Sequence, residues 1–229
     1  MTYAFIQARQ NSKRFENKIF SKINDNSIIE WINFRINKCK NIKKSFFLIP
    51  NNYNNNKLKK YIIKKKYKYL TGPENDVLKR FYTAALAVNA ENIVRICADN
   101  PFICWKTIDN LVNFYKKNKC DYAYNHIPIN NNFPDGIGAE IISFKKLEYL
   151  HNKAKKKEHR EHIFDYIWEN KNDFNIKTYF HRNKKLNYPN LKFDIDYDYD
   201  LHKLQNFNAN INDESTVIIK KYINKYRAI

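Results

Sequence analysis

Short apolar runs of about five residues alternate with longer amphipathic stretches along nearly the whole chain, and this alternation restricts the fold more than any other feature. Residues 3–7, 45–49, 67–70, 93–97 and 121–124 read as strands. Between them, Ser27-Ile28-Ile29-Glu30 has the form of a capping box, and Ile28, Ile29, Ile32 and Ile36 continue it as one helical face. Residues 57–66, 75–89 and 107–117 read as further helices. The second half is less regular: a strand over 139–143, helices over 144–152 and 158–169, strands over 176–180 and 191–195, and closing helices over 198–207 and 213–226. Strand–helix alternation predicts an α/β fold with a mainly parallel central sheet and helices on both faces. In such sheets ligands bind where the βα loops converge, at the carboxyl ends of the strands.

No apolar run approaches the roughly 18 residues of a membrane helix, and the first residues enter a strand without a charged-then-apolar leader. A cytoplasmic protein with no membrane partner is expected. The four cysteines, Cys39, Cys97, Cys104 and Cys120, form no C-x-x-C pair and have no zinc-like histidine spacing. They are expected to be reduced and to pack as small hydrophobes.

The formal net charge of +19 raises the question of a polyanionic partner. Lys, Asn, Ile, Tyr and Phe are over-used together, and all have A/T-rich codons, so much of the excess reads as drift on solvated faces. The dense clusters Lys57 to Lys68 and Lys153 to Lys157 fit helix surfaces. Against that background only eight of the 42 basic residues are Arg, and there are three Gly, at 72, 136 and 138. Arg kept in a Lys-rich chain marks places where a planar fork is useful.

Three loops carry chemistry. The first βα loop, Gln7-Ala8-Arg9-Gln10-Asn11-Ser12-Lys13-Arg14-Phe15-Glu16-Asn17-Lys18, combines cations, a hydroxyl and backbone N–H groups. That combination suits a triphosphate, although no Walker A pattern is present. Asp99 directly follows the strand 93–97 and precedes Asn100-Pro101, where a strand-end carboxylate can hold a divalent cation or cap a turn. Third, Asp194, Asp196, Asp198 and Asp200 alternate along one stretch. On an extended strand they would share a face. Asp198 and Asp200 also fit the start of a helix, which leaves Asp194 or Asp196 as metal ligands. Together the three loops describe a nucleotide–Mg²⁺ site.

At this point the sequence resembles the cytidylyltransferases: the acylneuraminate and KDO enzymes, and especially the spore-coat polysaccharide cytidylyltransferase-like group. The resemblance runs through the first loop, then Gly72-x-x-x-Asp76-Val77-Leu78-x-Arg80-Phe81-Tyr82 and Val94-Arg95-Ile96-x-x-Asp99-x-Pro101. It continues through Phe133-Pro134-Asp135-Gly136-x-x-x-Glu140, Ser143-Phe144-x-x-Leu147-Glu148 and Arg160-Glu161-His162, and ends at Asp196-x-x-x-Asp200-Leu201. It implies a Rossmann-like (GT-A-like) nucleotidyltransferase fold over 1–229. It also implies Mg²⁺-dependent transfer of CMP from CTP to an acidic sugar or a phosphate- or phosphonate-type acceptor in surface polysaccharide or glycan biosynthesis, with release of pyrophosphate. Carried over by position, Ala8, Arg9, Ser12, Arg14 and Lys18 would hold the nucleotide, and Arg9, Arg14, Lys18 and Asp99 would be catalytic. Gly72, Asp76 and Arg80 would lie near the nucleoside, and Asp99 and Asp196 would bind Mg²⁺. Pro134, Asp135, Gly136, Glu140, Arg160, Glu161 and His162 would face the acceptor or a partner subunit. Residues 125–190 would carry acceptor-binding or dimerisation elements of a homodimer.

The chain departs from the family pattern at Asn11 and Glu16-Asn17, where the family carries Gly and Pro-Gly, at Ala98-Asp99-Asn100-Pro101, and at Gly138, where an acidic residue is common. Asn tolerates the left-handed conformation those turns need. Two other classes are weighed. A metal-dependent sugar-nucleotide glycosyltransferase would use Asp194-x-Asp196, but the cationic first loop argues against it. A non-catalytic nucleic-acid-binding protein would use the net charge, but no RRM, KH or helix-turn-helix signature is present, so nucleic acid is not the expected partner. His159 is expected on an exposed helix, His162 is either an acceptor contact, a general base or a solvated side chain, and Trp31 and Trp168 are expected in the core.

Overall fold

The computed structural model describes residues 1–10 and 14–227. Ser12, assigned above to the nucleotide, lies outside the described residues, as does Asn11. The first half runs β1 (Thr2–Gln7), a small hairpin of β2 (Lys22–Ile23) and β3 (Asn26–Ser27), α1 (Ile28–Ile36), β4 (Ser45–Pro50), α2 (Asn56–Lys64), β5 (Tyr69–Gly72), α3 (Val77–Ala87), β6 (Asn92–Cys97) and α4 (Trp105–Asn118). The second half runs β7 (Tyr122–Tyr124), β8 (Glu140–Ser143), α5 (Phe144–Lys153), α6 (Lys157–Glu161), α7 (Asp165–Glu169), β9 (Ile176–Thr178), α8 (Asp198–Gln205) and α9 (Ser215–Tyr226).

Seven strands form one sheet in the order β5-β4-β1-β6-β8-β7-β9. β8 runs antiparallel to both its neighbours, and the other pairings are parallel. The sheet is mainly parallel with helices on both faces, as the alternation predicts. The central strand shows why. Ala4 and Ile6 of β1 join a core with α1, α2, α4 and α9, while Tyr3 and Phe5 join a second core with α3, α5 and α7. A strand covered on both faces must be apolar on both, which is why β1 reads as a continuous run. The capping box forms: the Ser27 backbone N–H and hydroxyl both donate to Glu30 Oε2 at 2.8 Å, and this starts α1. The Lys57 to Lys68 and Lys153 to Lys157 lysines are exposed.

Two expected elements differ. The helix expected over 158–169 is two, α6 and α7. The chain leaves the helix at His162 (φ −106°, ψ 88°), and Ile163 and Phe164 turn into the second core. That break also buries His159, which was expected to be exposed. Its Nε2 lies 2.9 Å from Glu169. The strand expected over 191–195 is an extended segment with one isolated bridge, Asp135 to Lys192. Its backbone is tied to loops: Phe193 N–H donates to Asp135 O at 3.1 Å and Ile195 N–H to Asp99 O at 3.0 Å. Buried Phe193 and Ile195 hold it against the carboxyl ends of the sheet. Trp31 is fully buried and Trp168 partly so, and the four cysteines are unpaired, with Cys39, Cys104 and Cys120 buried.

Candidate active site

The turns after β1, β5 and β6 and the segment 161–162 surround one cleft, and the segment 194–197 lies against its Lys18 and Arg14 side. Ala8, Arg9, Arg14 and Lys18 line it from the first loop, Arg80 from α3, Asp99 from the turn after β6, and Glu161 and His162 from the break after α6. Asn17, where the resembled family carries Gly, has φ 56°. The left-handed turn is therefore made without glycine, and Lys18 is presented directly after it.

On one wall, cations and carboxylates are paired with each other. Lys18 Nζ donates to Ile195 O at 2.7 Å and lies 3.3 Å from Asp99 Oδ2. Arg14 Nη2 lies 2.9 Å from Asp196 Oδ1, with its guanidinium 5.5 Å from the centre of the Tyr197 ring. The Tyr197 hydroxyl and Asp196 hold the Arg14 pKa above its usual value. Lys192 Nζ spans Asp194 at 3.1 Å and Asp196 at 3.6 Å. The carboxylates still exceed their partners. Asp194 Oδ1 is buried with no hydrogen bond among the described residues. Burial, with Asp194 nearby, raises the Asp135 carboxyl to about 6, and burial raises Asp194 too. Asp198 and Asp200 do not extend this acidic face. Asp200 accepts from the Asp196 and Tyr197 N–H groups at 2.9 Å and caps α8.

The opposite wall is the turn from β5 into α3. A Cβ on Gly72 would sit 2.8 Å from Arg80 Cγ, so glycine is what lets Arg80 lie flat against β5. Arg80 is buried, and its Nη1 donates to Pro73 O at 2.8 Å. Its Nε has no partner among the described residues, and burial followed by the nearby Arg9 charge lowers its pKa to about 10. Asp76 does not line the cleft. It caps α3 by accepting from Lys79 N–H at 2.8 Å, and Arg160 grips it in a fork at 2.9 and 2.7 Å. The expected nucleoside residue Asp76 and the expected acceptor residue Arg160 therefore brace one another.

At the back wall the sequence assigns Glu140 to the acceptor and leaves Arg95 without a role, whereas the structure encloses Glu140 and puts Arg95 in front of it. Arg95 of β6 lines the cleft, with its Nε donating to Gln7 Oε1 at 3.0 Å. Behind it, Glu140 is fully enclosed and ion-paired to Arg95, with the Tyr122 hydroxyl donating to its other oxygen. Burial pushes Glu140 up, but His126, Arg95 and Tyr122 together hold it below its usual value. A buried charge of this kind persists only when paired and hydrogen-bonded. Arg95 and His162 also border a neighbouring pocket that includes His126, Glu140, Phe164 and Trp168. Pro134, Asp135 and Gly136 lie elsewhere, against the segment 191–194: Gly136 has φ 82°, and a Cβ there would come within 2.5 Å of Asp194 N. Arg95 was readable as the one charge inside an apolar strand. Glu74, also in the cleft wall, was readable only as the acid between Gly72 and Asp76.

A charged cleft at the carboxyl ends of a mainly parallel sheet is where the family comparison becomes informative. A model of the cytidylyltransferase family matches residues 3–222. This chain belongs to the cytidylyltransferase family. It is 34% identical over 171 residues to an uncharacterized protein of Methanocaldococcus jannaschii, covering 75% of this chain and 68% of that one. It is 25% identical over 167 residues to the spore coat polysaccharide biosynthesis protein SpsF of Bacillus subtilis, covering 71% and 68%. A cytidylyltransferase structure from Leptospira borgpetersenii superposes with a TM-score of 0.88 at 24% identity, covering 99% of this chain and 95% of that one. A CMP:2-keto-3-deoxy-manno-octonic acid synthetase complexed with CTP superposes at 0.66 with 11% identity, covering 89% and 96%. These two structures share the Rossmann-like nucleotidyltransferase fold. The cytidylyltransferase described here is a CTP-dependent nucleotidyltransferase, and no described helix is long and apolar enough to cross a membrane.

Proposed function

We propose that the enzyme transfers CMP from CTP to a small anionic acceptor, an acidic sugar or a phosphate- or phosphonate-type molecule, and releases pyrophosphate. The observation that carries this reading is the convergence of Arg9, Arg14 and Lys18 with Asp99 at one cleft. An acceptor oxygen forms a bond to the α-phosphorus of CTP, the bond from that phosphorus to the bridging oxygen breaks, and the acceptor's proton passes to solvent. Arg9, Arg14 and Lys18 bind the triphosphate and hold the charge that builds on the departing pyrophosphate. The backbone around Ala8 brings the first loop close to the phosphates. Gly72 and Arg80 form the nucleoside side, with Asp76 and Arg160 holding that turn in place.

The donors suit Mg²⁺: Asp99 offers a partly exposed carboxylate, and Asp194 Oδ1 is a buried oxygen lacking a donor among the described residues. Asp99 and Asp196 would hold the ion, with Asp194 beside them. When bound, Mg²⁺ offsets negative charge on phosphate oxygens. Arg95, Glu161 and His162 face the acceptor, which extends into the pocket they border, while Glu140 acts through Arg95. Pro134, Asp135 and Gly136 shape the acidic side. In this reading the enzyme is a cytoplasmic homodimer, residues 125–190 carry acceptor or dimer elements, and the product enters surface polysaccharide or glycan synthesis. The name of the SpsF relative supports that last point.

The test is pyrophosphate release with CTP and Mg²⁺ across nonulosonic acids, KDO, sugar phosphates, phosphonates and phosphoamino acids, with neutral sugars and polyols beside them. Release with one anionic acceptor is expected. Release only with neutral acceptors would overturn the acceptor class.

A further inference from the structure

We infer that Glu74 selects cytosine over uracil, and that a one-way hydrogen-bond relay from the first loop fixes how it does so. The inference rests on the cleft being the CTP site. The relay begins at the Gln10 backbone N–H, which donates to Asn55 Oδ1 at 2.8 Å. Asn55 Nδ2 then donates to Asn52 Oδ1 at 2.6 Å, and Asn52 Nδ2 donates to Glu74 Oε2. Asn55 is buried, which shields the middle of the relay, while Gln10, Asn52 and Glu74 are half-buried.

The direction of the relay is forced. A backbone N–H can only donate, so Asn55 must turn its oxygen toward Gln10 and its amide nitrogen outward. Asn52 must then accept from Asn55 and donate to Glu74. The far end of the chain can therefore be satisfied only by an acceptor, and a carboxylate supplies one at each oxygen. Asn52 takes Oε2, and Glu74 lines the cleft beside Arg80, whose buried Nε has no partner among the described residues.

An acceptor next to an unspent donor complements one pyrimidine and not the other. Cytosine presents an amino donor at C4 beside an acceptor at N3, whereas uracil presents a carbonyl acceptor beside an N–H donor. Cytosine's amino group meets Glu74 and its ring acceptors meet Arg80. Uracil would set its O4 against a carboxylate and its N3–H against a guanidinium. Discrimination of this kind comes as much from the mismatched partner as from the matched one.

The relay gives an unusual prediction for Glu74→Gln. Asn52 Nδ2 needs an acceptor, so it takes the glutamine oxygen and turns the glutamine amide nitrogen toward the ligand. That presents a donor, which suits uracil. Equilibrium titration with CTP and with UTP, both with Mg²⁺ and without acceptor, reads the effect directly. The wild type is expected to bind CTP about 10- to 100-fold tighter than UTP, the range of one good base contact. Glu74→Gln is expected to bind UTP as tightly as CTP or tighter. Adding Asn52→Ala to Glu74→Gln frees the amide to turn and is expected to move the ratio back toward CTP. A wild-type ratio retained in Glu74→Gln, or equal wild-type binding of both nucleotides, overturns the inference while leaving the CTP site standing. Binding of neither nucleotide by the wild type removes the site reading and the inference together.

Discussion

The two walls of the cleft prepare for a nucleotide in opposite ways. On the Asp99 side, Lys18 rests on Asp99 and Ile195, Arg14 on Asp196, and Lys192 across Asp194 and Asp196. In the proposed reaction a triphosphate entering there would exchange these pairs for phosphate contacts, and a cation would take over the carboxylates. On the Glu74 side, the backbone and the Asn55–Asn52 relay have already spent their bonds, and Arg80 keeps a buried Nε without a partner among the described residues. The ligand there fills partners rather than displacing them. In that reading the first wall is an ion-paired resting state that would rearrange, and the second is a template. Partly exposed ion pairs cost little to break, while a buried polar group short of partners makes a bond to ligand worth more.

The largest test of this contrast is Asp99→Ala. It should lower turnover by about 10³-fold or more, the scale of losing a group that stabilises developing charge, with the melting temperature little changed. Wild-type pyrophosphate release from this variant would remove Asp99 from the reaction. Next come Arg14→Ala and Lys18→Met. Each should weaken CTP binding about 10-fold, the size of a charge-assisted hydrogen bond, with the loss shrinking as salt rises. If neither changes affinity, the first loop is not the triphosphate cradle.

On the template wall, Gly72→Ala should cost about 1–3 kcal/mol in denaturant unfolding, as overpacking commonly does, because its Cβ would press on Arg80 Cγ. Nucleotide affinity should fall with it, and unchanged stability would show that Arg80 can move aside. The smallest effect concerns acid excess on the first wall. The Asp135 carboxyl, raised to about 6, binds a proton more readily folded than unfolded. Its contribution to stability is present in full below about pH 4 and is lost as the pH rises through 6. Asp135→Asn should therefore gain at most about 2 kcal/mol over the wild type at pH 7–8, allowing for solvent screening, and nothing below about pH 4. Unfolding curves at pH 4 and pH 7.5 check this, and an equal change at both would contradict it.

The parts of the molecule legible in the sequence are those governed by local pattern. β1 and β6 read as buried runs because both faces are covered, and Ser27 with Glu30 announced α1. The first loop and Asp99 stood out because a βα turn places them at strand ends. What escaped depends on contacts distant in the chain. The helix break at His162 exists because Ile163 and Phe164 find a core under the sheet, which no local periodicity encodes. Residues 191–195 carry strand residues but bond to the Asp99 and Asp135 loops. Asp76 and Arg160 each resembled ligand contacts, and only the fold brings them within 2.7 Å of each other. Glu74 was hidden for the same reason, since its orientation depends on Asn52, Asn55 and Gln10.

The most direct measurement of the central claim is Mg²⁺-dependent CTP binding by the wild type and by the Arg14→Ala/Lys18→Met double variant, followed by calorimetric titration. The account predicts saturable wild-type binding that weakens without Mg²⁺ and falls about 100-fold in the double variant, two charge-assisted contacts being lost. Equal affinity in both proteins, or binding indifferent to Mg²⁺, would contradict it.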